Sequence, residues 1–151
     1  MLNEEIQLKR LLGDLFRVQL FASLATLQGG RPYNSLIAFA ATDDLKSILF
    51  VTKRQTRKYT NILSNNSVSV LIDSRSNRDS DVRNAVAVTA IGTAAEVTGD
   101  QKQKLLGIYL AKHHSLEKFA HLPESALFRI DVKRYFIVRN FQDVVELKIE
   151  G

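Results

Sequence analysis

Thr52-Lys53-Arg54-Gln55-Thr56-Arg57-Lys58-Tyr59-Thr60-Asn61 is the stretch on which the fold turns. The apolar run before it, Ser47-Ile48-Leu49-Phe50-Val51, reads as a buried strand, and the segment from Arg57 to about Ser64 reads as a helix. A strand ends, hydroxyls and cations crowd the turn, and a helix begins. Thr56 is placed to cap that helix, and Arg57 and Lys58 put two cations in its first turn. The free N–H groups of a helix start already form a positive pole. Cations there oppose the dipole unless an anion, such as a phosphate, binds. A solvated, basic helix start is the plain alternative.

Working outward, Asn3 caps a first helix to about Arg17, with Leu8, Leu11, Leu12, Leu15 and Phe16 as its apolar stripe. Leu20 to Leu27 reads as a strand, Gln28-Gly29-Gly30-Arg31-Pro32 as a turn, and Tyr33 to Ala41 as a second strand. The centre of the second strand, Leu36 to Ala41, is apolar on both alternating faces, which predicts core on one side and a partner or ligand on the other. Thr42 to Lys46 is a hairpin loop. Past the helix, Asn65-Asn66 breaks the chain and Val68 to Asp73 is a strand. Ser74 to Asn84 reads as a mobile polar loop. Ala85 to Val97 is a long β-branched strand with a bulge or close approach at Gly92. Helices follow at about Gln101 to Lys112 and Leu116 to Leu122, then strands over Ala126 to Val138 and Asp143 to Ile149. Sequential antiparallel strands with interspersed helices predict one mainly β domain over residues 1–151, a barrel closed or nearly closed, with peripheral helices.

The chain has 151 residues, 45% apolar and 25% charged, enough for a full core. It has no cysteine, which excludes disulfides and thiolate chemistry. With no apolar run of membrane-spanning length and an acidic, polar start, a cytoplasmic protein off the membrane is expected. The net charge is +5, but the cations are scattered and no duplex-reading element accompanies them, so a small anion is expected in preference to nucleic acid. His113, His114 and His121 read as surface or helix-end histidines, with no metal expected. Asp79 and Asp81 read as solvated charges among Arg75, Arg78 and Arg83, and Tyr109 and Phe119 as core. Ser23, Ser35 and Ser69 lie in no nucleophile motif.

Several pieces recur in a fixed order: Leu24-Ala25-Thr26, Gly30-Arg31-Pro32, Asn34 to Phe39, Asp43-Asp44, Phe50-Val51-Thr52, Thr56-Arg57-Lys58, and Asn61-Ile62-Leu63 to Asn66 before Val68-Ser69-Val70. This ordered set resembles the pyridoxamine-phosphate-oxidase-like family, the FMN-binding split barrels, over about residues 15 to 138. The resemblance implies an antiparallel split β-barrel and a homodimer with two FMN sites at the subunit interface. It implies that Ser35, Leu36 and Ile37 line the flavin, their backbone groups bonding the ring edge. Val51 and Thr52 would sit beside them, and Thr56, Arg57 and Lys58 would hold the phosphate. The partner would close the site from around Ala87 to Ala90 and with Phe141. The implied activity is that of an FMN-dependent oxidoreductase, with two-electron transfer through the flavin N5. A non-catalytic flavin-binding or stress-sensing protein is the alternative, as is a reductase using the deazaflavin F420.

The departures bear on substrate. The oxidase itself has Arg where this chain has Ser35, Lys where it has Ala40, Gln near Ala87, and a Trp- and Arg-bearing end. This chain has no Trp and ends Arg139-Asn140-Phe141-Gln142-Asp143-Val144-Val145-Glu146. Oxidation of pyridoxamine phosphate is therefore not expected, and the His-rich C-terminal pattern of a haem-degrading branch is absent. No catalytic acid or base, electron donor or substrate follows from the sequence.

Overall fold

A computed structural model describes residues 2–151. Its elements are α1 (Leu2–Val18), β1 (Phe21–Gln28), β2 (Arg31–Ala41), β3 (Ser47–Lys53), α2 (Arg57–Ser64), β4 (Ser67–Asp73), α3 (Asp81–Asn84), β5 (Ala87–Glu96), α4 (Gln101–Lys112), a 3-10 turn (His114–Leu116), α5 (Glu117–Ala120), β6 (Ser125–Arg139) and β7 (Asp143–Lys148). Strands β1 to β6 close into an antiparallel barrel in the order β3-β2-β1-β4-β5-β6, with β6 returning to β3, and β7 continues the sheet from β6. This is the antiparallel split barrel with peripheral helices that the sequence predicts. No helix among the described residues is long and apolar enough to cross a membrane.

Alternation builds the wall. Ala22, Leu24 and Thr26 of β1, Val68, Val70 and Ile72 of β4, and Val88 and Ala90 of β5 are buried. Gly29 and Gly30 both have positive φ, 57° and 79°, so a two-residue turn joins β1 to β2 and sets Gln28 opposite Arg31. Strand β2 therefore begins at Arg31, before the Tyr33 that the proline turn suggested. Helix α1 adds Leu8, Leu12, Leu15 and Phe16 to the barrel core, which a helix can reach only over an open end. The Phe16 ring meets Phe39 edge-on at 5.9 Å and Tyr135 at 5.8 Å.

Strand β3 is buried on both faces. Ile48 and Phe50 enter the barrel core, while Leu49 and Val51 join a second apolar cluster with Ala40, Leu127, Leu105, Leu106 and Tyr109. The outer face of β2 at Ala40 is thus covered by α4 of the same chain, not by a partner or ligand; farther back, from Leu36 to Pro32, that face is open. The polar segment after β4 is less loose than its composition suggests. It contains the short helix α3, and Asp81 accepts from the N–H groups of Ser76 (2.6 Å), Asn77 (2.7 Å) and Arg78 (3.4 Å) and from Ser76 Oγ (2.8 Å). Those bonds hold its carboxyl below the usual range.

The bulge falls where the sequence puts it. The β5–β6 register shifts between Ile91 and Gly92, and a Cβ at Gly92 would lie 2.1 Å from the Asp131 carbonyl oxygen. Only a residue without a side chain lets β6 bend there. Gly92→Ala is expected to destabilise the fold by about 2–3 kcal/mol through overpacking against backbone, read as a lower midpoint in urea unfolding.

Candidate functional site

Strands β2 and β3 pair over only three positions, Phe39 to Ala41 against Phe50 to Ile48. Beyond them the strands part: β3 runs on along β6 to Lys53–Ser125, while β2 stays with β1. The edge of β2 at Leu36 to Ala38 therefore has no strand opposite it on the β3 side. A cleft of about 350 Å³ opens in this split. It is lined by Leu36, Ile37 and Ala38 from β2, by Val51, Thr52 and Lys53 from β3, by Thr56 and Lys58 at the start of α2, and by Tyr109, Leu116 and Phe119.

At the α2 end of the cleft the groups are polar. Thr56 caps the helix, accepting from Tyr59 N–H at 3.4 Å; its hydroxyl lies 3.0 Å from that of Thr52 and donates to the Lys53 carbonyl at 2.9 Å. The backbone N–H groups of Arg57 and Lys58 have no partner among the described residues. Lys58 is half-buried and makes no ion pair among them, and desolvation lowers its pKa from the ordinary 10.5. A half-buried, uncompensated ammonium beside free helix N–H groups and two hydroxyls is a donor set suited to a phosphate.

The neighbouring cations are placed differently. Arg57 projects toward β1 and β2, its guanidinium 5.5 Å above the Tyr33 ring and 3.4 Å from Gln28 Oε1, and it lines an adjacent groove with Thr56. Arg54 is neutralised by Glu96 at 2.6 Å. Of the residues nominated from sequence, Leu36, Ile37, Val51, Thr52, Thr56 and Lys58 line the one cleft. Ser35 sits beside it, paired with Leu24 of β1. Phe141 lies elsewhere, exposed at the β6–β7 hairpin tip with a left-handed backbone (φ 76°). On β5, Val88 and Ala90 are buried in the barrel, so of the stretch proposed to face a partner only Ala87 and Thr89 have outward side chains.

Tyr109, Leu116 and Phe119 form the cleft wall that the sequence reading assigned to core or left unassigned. Tyr109 is buried and belongs to the core as well; its hydroxyl donates to the Ala38 carbonyl at 3.0 Å, and burial pushes its pKa up to about 12. A tyrosine among the apolar residues of α4, Leu105, Leu106, Ile108 and Leu110, was the available signal, since a buried hydroxyl needs a partner. His113 closes α4 as a helix-end histidine, but it is buried, with Nε2 2.7 Å from the Phe39 carbonyl oxygen and its pKa lowered by desolvation. His121 is exposed and engages the Glu117 carbonyl of its own turn. The lining contains no carboxylate, histidine or thiol.

The architecture has known counterparts. It is similar to a heme binding protein from Mycobacterium smegmatis (TM-score 0.80, 16% identity, 89% of this chain and 55% of that one). It is similar to the General Stress Protein 26 from Bacillus anthracis (TM-score 0.71, 21% identity, 95% of this chain and 99% of that one). It is also similar to a FAD-binding protein from Mesorhizobium loti (TM-score 0.62, 19% identity, 82% of this chain and 88% of that one). At such identities the likeness is one of fold, and the chain spans about half the length of the Mycobacterium protein. No curated protein matches the sequence. The family model described as pyridoxamine 5′-phosphate oxidase matches residues 9–139. With that match spanning most of its length, the chain belongs to the pyridoxamine 5′-phosphate oxidase family.

Proposed function

We propose that this chain binds FMN in the split between β2 and β3 and works as a homodimeric FMN-dependent oxidoreductase. The observation that carries the proposal is the meeting, in one cleft, of an unpaired β2 edge at one end with Thr56, Lys58 and free helix N–H groups at the other. Backbone groups from Ser35 to Ile37 suit the polar edge of a flavin ring. Val51, Leu116 and Phe119 suit its apolar faces, and Thr52, Thr56 and Lys58 suit its phosphate. Arg57, one position away, adds charge from the neighbouring groove. When bound, FMN supplies two-electron transfer through N5; the protein orients it and limits its exposure to water. Deazaflavin F420 also carries an anionic tail, and the visible spectrum of the bound chromophore separates it from FMN.

A second copy of the chain is the proposed partner. Residues in register across the outer sheet form a row, Leu36–Ser23–Leu71–Thr89–Phe136, with Leu36 72% and Leu71 40% exposed. An exposed apolar row next to an incomplete cleft is what a subunit interface covers. The partner's corresponding Ala87, Thr89 and Phe141 would then be placed to close the site. A flavin-binding protein with no dedicated substrate is the second reading, supported by the absence of any carboxylate, histidine or thiol from the lining. Steady-state turnover with NAD(P)H and a panel of acceptors distinguishes the two.

Lys58→Ala is expected to lower FMN affinity by about tenfold or more, the scale of losing one charge-assisted phosphate contact. Arg57→Ala is expected to cost less. Equal affinity in wild type and Lys58→Ala, by flavin fluorescence titration, would sink the phosphate assignment. The sign with pH follows from the lowered pKa of the ligand-free protein: below it Lys58 is charged before and after binding and the phosphate contact is complete, and above it binding must take up a proton. Affinity should therefore fall as pH rises toward 10.5, and Lys58→Arg should flatten that dependence. For the interface, Leu71→Glu should shift the protein from dimer to monomer in analytical ultracentrifugation, and a wild-type monomer would overturn the dimer.

A further inference from the structure

Arg54 and Tyr59 stand on either side of the Thr56–Lys58 turn, and both end on one carboxylate. Arg54 Nη2 donates to Glu96 Oε2 at 2.6 Å, and the Tyr59 hydroxyl donates to Glu96 Oε1 at 3.2 Å. Arg54 is held further by Nη1 on the Pro123 carbonyl (2.7 Å) and by its backbone N–H on the Glu124 carbonyl (2.9 Å). The Tyr59 ring packs edge-on against Phe128 at 5.6 Å. Glu96 closes β5, opposite Phe128 of β6, so the carboxylate stands on the barrel wall and not on a loop. Its side chain is only 20% exposed.

The Glu96 carboxylate favours the charged form of Arg54, raising its pKa above the ordinary value. It neutralises an arginine in the most cationic part of the chain, next to a cleft suited to an anion. Its geometric effect is specific: one carboxylate, each oxygen engaged, pins the turn on both sides of Thr56 and Lys58 to a rigid strand. A site whose groups must meet a ligand to within a fraction of an ångström needs such a second layer of contacts.

We propose that Glu96, outside the cleft, is the positioning residue of the phosphate-binding turn, acting through Arg54 and Tyr59 to hold Thr56 and Lys58 toward the ligand. The proposal rests on the FMN reading above. It makes the effect of Glu96 specific to phosphate: recognition of the flavin ring, built on β2 and β3, does not pass through this carboxylate.

The test compares FMN with riboflavin, which carries the same ring without the phosphate, by fluorescence titration. The proteins are the wild type, Glu96→Ala, Arg54→Ala and the exchange Arg54→Glu with Glu96→Arg, each checked for thermal unfolding. The wild type should prefer FMN. Glu96→Ala and Arg54→Ala should each lose about tenfold in FMN affinity, while riboflavin affinity stays within about twofold. The exchange should recover part of the FMN preference. An unchanged FMN-to-riboflavin ratio in the single variants, or a parallel loss of both ligands, overturns the proposal. Should Glu96→Ala not fold, Arg54→Ala carries the comparison, since its side chain is 36% exposed. A wild type without preference for FMN would instead refute the phosphate reading. Amide hydrogen exchange of the ligand-free proteins at the hydrogen-bonded amides of Thr56, Tyr59 and Thr60 then decides on the clamp itself: faster exchange in the variants supports it, and unchanged exchange overturns it.

Discussion

The closure of β3 onto β6 is the constraint from which the rest follows. Every residue of β3 from Ser47 to Lys53 has a partner on β6, while only three have one on β2. Strand β5 keeps both of its neighbours along most of its length, but β3 keeps only β6 and parts from β2 after three pairs. Burial explains why. Ile48, Leu49, Phe50 and Val51 are covered on both faces, by the barrel core and by α4, and Phe50 stacks on Phe128 of β6 at 5.3 Å. That burial outweighs the ladder bonds lost where β2 departs. The cleft is thus a by-product of closing the barrel, lined by backbone that the barrel does not use.

Charge is then distributed around this opening by local geometry. Three cations within five residues meet three environments. Arg54 is neutralised by Glu96, Arg57 lies over Tyr33, and Lys58 stands half-buried in the cleft without a counter-ion. Successive helical residues are about 100° apart, so neighbours such as Arg57 and Lys58 must diverge. Of the two without a counter-ion among the described residues, Arg57 and Lys58, it is Lys58 that lines the cleft. A protein selected for stability alone would pair it or place it in water.

The fold by itself leaves the chemistry open. Its structural counterparts include a heme binding protein, a FAD-binding protein and a general stress protein. One barrel therefore occurs in proteins named for different ligands, and the fold alone assigns none of them to this chain. The side chains lining the split are apolar along the strands and α4–α5, with the hydroxyls of Thr52 and Thr56 and the ammonium groups of Lys53 and Lys58 toward the α2 end.

Much of the architecture was legible in the sequence because it is local. Alternation marks the strands, Gly29-Gly30 demands a turn with positive φ, Thr56 caps α2, and Gly92 marks the bulge. These features depend on neighbours along the chain, where steric and hydrogen-bonding rules act directly. What tertiary structure alone decided involves residues far apart. It covered the outer face of β2 at Ala40 with α4, buried His113 against Phe39, and drew Tyr109 and Phe119 into the cleft wall. It also joined Arg54 to Glu96, 42 residues away, and so separated the neutralised cation from Arg57 and Lys58, which have no counter-ion among the described residues. Sequence set where each strand and turn would form, because that is a property of the local chain. Only the closed barrel fixed which charges remained uncompensated, because that depends on what long-range packing brings beside them.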